Sequence, residues 1–238
     1  METGYSRYEH MLASFGREYL VPAINASKRG ERLERPEDSA FTAVYYGFTE
    51  IVNTFEALNL SELLLSLAPP RSRRIVKDEY LKYLVSAYLQ DVYILKERLN
   101  SYATKVSRLY VRDKEAKAIM ASLVPSFTTI AASFDGISST RGAHVHAQRY
   151  SDKELDMLAQ ISLVNRLSKK SEFDLHEGYK LVRAKWHSTV KSNNLITRQI
   201  LDHYCDSLFE VVTKYGKLVL PSIQQPKHAR PASHPRRV

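Results

Sequence analysis

Nine consecutive residues, Arg141-Gly142-Ala143-His144-Val145-His146-Ala147-Gln148-Arg149, gather the side chains that chemistry prefers. The two arginines are permanent cations whose planar forks of donors suit a phosphate. The two imidazoles exchange protons near neutral pH. Together they suggest a segment that can grip a phosphate and move protons. The alternative is a loop whose Arg and His tie neighbouring helix ends together by hydrogen bonds.

Other chemistries find little material. His144-x-His146 offers two imidazoles to zinc, but neither a Cys pair nor a His-Glu-x-x-His accompanies it, so no metal is expected. The 8 glycines of the chain form no phosphate loop, nucleophile elbow or dinucleotide fingerprint, and no cofactor is expected. His176 and His187 stand alone on helices and read as surface or locally satisfied groups. Cys205 is the single cysteine. It excludes an internal disulfide and fits a reducing compartment.

The elements that must position the segment are helical. The 238 residues are 44% apolar, enough for a substantial core. Tyr5, Tyr8, Leu12, Phe15 and Tyr19 recur at helical steps, and Pro22 is expected to end or kink that helix. A charged loop follows to Asp38. Phe41, Val44, Phe48, Ile51, Val52 and Phe55 mark the next helix, with a separate short turn over 59–67 opened by Ser61. After the linker at Pro69-Pro70, the spacing predicts the longest helix from about Asp78 to Tyr110.

That long helix carries two charges on its apolar stripe, Asp91 and Arg98, seven residues apart and so on one face. Buried charge must be paired or line a wet site. They either sit at the stripe's edge among neighbours or approach the Arg141–His146 segment. Another helix follows Asp113, kinked at Pro125, and the turn residues of 133–140 are expected to break it. Ser151-Asp152-Lys153-Glu154 is a capping-box signature for a new helix. Two final helices centre on Trp186 and Tyr204. The fold class is all-α, a bundle of six or seven helices.

Three regions result: a helical extension and charged loop over 1–38, an all-α domain over 39–220, and a basic proline-rich tail over 221–238, expected to be disordered. The net charge is +9, to which the tail contributes Lys227, Arg230, Arg236 and Arg237. Such a balance ordinarily points to nucleic acid, but its concentration in the tail weakens that inference, and the tail is either a salt-sensitive grip on polyanions or a solubilising end. No run is long enough to cross a bilayer, so no membrane is expected and a cytoplasmic protein is.

Arg141, four intervening residues, then His146 resembles the Arg-(four to six residues)-His motif of the HEPN superfamily. The resemblance covers roughly residues 40–190 and implies an all-α, HEPN-like bundle with RNA or nucleotide as partner. It further implies a homodimer whose paired motifs form a metal-independent endoribonuclease, of a toxin or defence type. The helix containing Tyr93-Ile94-Leu95-Lys96-Glu97-Arg98 is similar in style to the helix that packs against such motifs. Gly142 departs from the polar residue usual after the motif's arginine. A second match, Arg198 and His203, lies mid-helix, where positions five apart fall on different faces, and the first is preferred for that reason. The reading from another class is a non-catalytic helical interaction module in which the same segment is structural.

Overall fold

The computed structural model describes residues 3–31, 39–72, 74–111, 116–146, 152–168, 175–214 and 217–220. Within them the chain is all-α. Seven helices run as α1 Gly4–Lys28, α2 Ser39–Phe41, α3 Gly47–Ser66, α4 Lys77–Leu109, α5 Ala116–His146, α6 Lys153–Leu167 and α7 Leu175–Val212. A π-helical turn, Thr42–Tyr46, joins α2 to α3. Two-residue strands, β1 Thr213–Lys214 and β2 Lys217–Leu218, form a small antiparallel ribbon after α7. The tail over 221–238 lies outside the described residues.

α4 is the central pillar, packed against α3, α5, α6 and α7. Its buried stripe, Leu81, Val85, Tyr88, Val92, Leu95, Leu99, Tyr102 and Val106, keeps the three- and four-residue steps of a helix that faces a core. α3 and α5 also pack against α7, closing the bundle around that core.

α1 belongs to the same core. Tyr5, Tyr8 and Leu12 are buried, and Tyr8 meets Phe48 edge to face at 5.0 Å. The Tyr8 and Tyr102 hydroxyls lie 2.8 Å apart, satisfying each other away from water. At the outer edge the Tyr5 backbone N–H donates to Asp202, and the Arg7 guanidinium donates to Asp206 at 2.8 Å. Residues 4–28 are therefore a structural part of the bundle, more than an extension. The helix also continues beyond Pro22 to Lys28. Pro22 removes one N–H but does not end it.

Three other expectations change. Residues 59–66 continue α3, with Ser61 buried on its inner side, so they form no separate turn. The two final helices are one of 38 residues, because Asn194 is not a break but a buried anchor. Its amide donates to the Leu58 carbonyl at 3.1 Å and to Glu62 at 2.9 Å. Finally, α5 does not stop at 133–140 but runs on through Gly136 to His146. Mid-helix glycine costs only about 1 kcal/mol, and the stretch is seated by buried Ile130 and Phe134.

Candidate functional site

Arg141, His144 and His146 fall on the last turns of α5. Their side chains, and all of Arg149, lie outside the described residues. The segment is therefore helical as far as His146, where a loop was expected. The distinction drawn between the two Arg-x4-His matches disappears with it, since both now lie on helices.

The second match is well placed structurally. The Arg198 guanidinium lies over the Tyr5 ring at 4.5 Å, and its Nε is 3.9 Å from Asp202. It thus packs α7 onto α1 as a cation–π contact. His203 is exposed and lines a cleft of about 350 Å³ between α5 and α7, with Pro125, Thr129 and Asp206. Asp206 is already held by Arg7.

Asp91 and Arg98 are both half-buried. Burial raises the Asp91 carboxyl above its usual range, with Arg98 pulling the other way. Arg98 turns to α3. Its guanidinium makes a 2.6 Å ion pair with Glu50, donates to the Glu50 carbonyl at 2.8 Å, and donates to the Thr54 hydroxyl. This is the behaviour of a helix–helix clamp, and its donors are largely committed there. Thr54 in turn donates to the same Glu50 carbonyl at 2.7 Å, so the clamp is tied into the α3 backbone.

A second constellation escaped the sequence reading. Asp78, in the first turn of α4, is buried and accepts a hydrogen bond from the Ser162 hydroxyl of α6 at 2.8 Å. Both line a largely apolar cleft of about 350 Å³ where α4, α6 and the start of α7 meet. Asp152 caps α6 by accepting from the backbone of Glu154 and Leu155, which fixes the entry of that helix. The Lys82–Asp156 pair at 2.9 Å ties α6 to α4 nearby. A signal was present: Asp78 precedes Leu81 and Val85 on the buried stripe, and Ser162 follows Leu155 and Leu158 on another. A polar residue on an apolar stripe marks either a pair or a pocket.

No group of three or more His, Cys, Asp or Glu side chains that could hold a metal occurs among the described residues. Cys205 is buried, and burial pushes its thiol well above the ordinary range, so it is a core filler. No helix among the described residues is long and apolar enough to cross a membrane. In comparison with known proteins the chain matches no family model, and no curated protein or solved structure is significantly similar to it.

Proposed function

We propose that the chain is an HEPN-like, RNA-directed protein acting as a cytoplasmic, homodimeric, metal-independent endoribonuclease with Arg141 and His146 as its catalytic pair. The observation that carries this reading is the gathering of Arg141, His144 and His146 on the final turns of α5, in an all-α bundle. Regular helix geometry sets positions 141 and 146 on different faces. A pair made from two copies of the chain answers that geometry, each protomer supplying what the other's His or Arg lacks.

In the reaction, one His146 takes the proton of a ribose 2′-hydroxyl, and the freed oxygen attacks the adjacent phosphorus. The bond to the 5′-oxygen breaks, and a second imidazole gives that oxygen a proton. Arg141 holds the crowded anionic phosphate, whose charge grows as the bond forms. The products are a 2′,3′-cyclic phosphate and a free 5′-hydroxyl. Incubation of single-stranded RNA with the protein and excess chelator tests this. Fragments with those ends are expected; fragments with 5′-phosphates, or cleavage only with added metal, would contradict it.

A second reading, a non-catalytic interaction module, is favoured by α6. Met157 and Leu167 are 61% and 78% exposed, and Leu163 and Val164 extend the apolar face. RNA that is neither bound nor cut, together with capture of a protein through this face, would favour the module.

A further inference from the structure

The cleft between α4, α6 and α7 has the makings of a base-binding site. Leu158, Leu175 and Tyr179 give it apolar and aromatic walls, and its volume of about 350 Å³ falls at the lower end of ligand pockets. Asp78 is only 8% exposed, and among the described residues its carboxylate accepts a hydrogen bond from Ser162 alone. A carboxylate accepts at about four lone-pair positions. Such an acceptor in an apolar cleft is suited to a ligand that brings N–H donors on a flat, weakly polar body.

The mouth narrows the choice. Among the described residues at its mouth, Lys77 and Arg166 are exposed cations, and His176 is exposed beside them. Arg166 is shared with Glu79 at 3.1 Å. A cationic amine would pass these like charges to reach Asp78, whereas a base carrying a phosphate would leave its anion beside them. Among bases, guanine offers two adjacent donors on one edge, its ring N–H and its exocyclic amine, in the geometry a carboxylate accepts.

We infer that this cleft binds a guanine base, with Asp78 receiving its Watson–Crick edge, Tyr179 flanking the ring, and Lys77 attracting the phosphate. The base could belong to a free nucleotide or to an unpaired guanosine in RNA. The site does not rest on Arg141 or His146.

Calorimetric titration of the full chain with GMP, IMP and AMP tests it, beside oligouridine with and without a single guanosine. GMP is expected to bind saturably. IMP, lacking the amine, and AMP, lacking the ring N–H, are expected to bind at least about tenfold more weakly, because each leaves the carboxylate underused. Asp78→Asn should erase the preference for GMP, and Tyr179→Leu should weaken GMP in protein that still melts cooperatively, at a lower temperature because Tyr179 is buried. Binding of GMP alone identifies a free nucleotide as the ligand, and binding of the guanosine oligonucleotide alone identifies RNA. Saturation by neither, equal affinity for all three nucleotides, or an unchanged GMP preference in folded Asp78→Asn would overturn the inference. If Asp78→Asn does not fold, the nucleotide series and Tyr179→Leu decide it.

Discussion

Tyr8 of α1 and Tyr102 of α4 join hydroxyl to hydroxyl at 2.8 Å inside the core, across 94 residues of sequence. Each is the other's partner, and both rings are essentially inaccessible to water. Close above them, a Cβ on Gly47 would come within 2.7 Å of the Tyr102 ring, so the start of α3 is fitted to that ring without a side chain. The pair makes the first helix part of the fold's stability.

Breaking it on one side strands a buried hydroxyl. Tyr8→Phe or Tyr102→Phe alone is expected to cost about 1–3 kcal/mol, while the double substitution costs less than the sum. Denaturant unfolding of the three variants measures this. Strict additivity would show that the hydroxyls do not interact.

Alkali should unfold the protein through its tyrosines. Burial holds the Tyr8, Tyr102 and Tyr204 phenols well above their ordinary value of 10.0, and Tyr88 is pushed up to about 12. Above pH 10 the unfolded chain therefore loses protons that the folded chain keeps, so stability falls as pH rises. It is fully present below about pH 10 and declines through the interval above it. Tyrosinate absorbance and helical circular dichroism, followed together, should show a group of phenols ionising only as the helices melt. Complete ionisation at pH 10 with helicity intact would contradict the burial.

Much of this architecture is legible in the sequence, and the misses have physical causes. α4 begins and ends within a residue of its expected limits because its apolar stripe is long and unbroken. The two helices centred on Trp186 and Tyr204 are one, α7, whose middle is held by buried Asn194 through partners on α3, 132 and 136 residues away, which periodicity cannot reveal. α5 passes through Gly136 because tertiary packing outweighs a weak local preference. For the proposed site, the types and spacing of Arg141 and His146 are readable in the sequence. Asp78 and Ser162 each stand out on an apolar stripe, but their pairing is not legible, since it joins residues 84 apart.

Arg98 is expected to behave as a clamp between α3 and α4. Arg98→Ala should lower stability by about 1 kcal/mol, the ion pair being partly exposed and the hydrogen bonds to Glu50 and Thr54 supplying most of the loss. RNA cleavage by the folded variant should be unchanged. A selective loss of cleavage at undiminished stability would move Arg98 into the site.

The catalytic account requires two copies. Sedimentation of the full chain at micromolar concentrations should give a dimer, and mixing Arg141→Ala with His146→Ala protein should restore part of the activity if the two copies share a cleft. A monomer that cleaves RNA at full rate would refute the shared site.

The most direct test sets RNA cleavage beside thermal melting for Arg141→Ala and His146→Ala, each with chelator present. A functional pair contributes little to core packing. Both variants should therefore melt close to wild type and lose cleavage by at least about a hundredfold, the scale of a missing acid–base or anion-binding group. A loss of about 1–3 kcal/mol in both, the cost of stranding a structural hydrogen bond, with RNA left uncut even by wild type, would contradict the account.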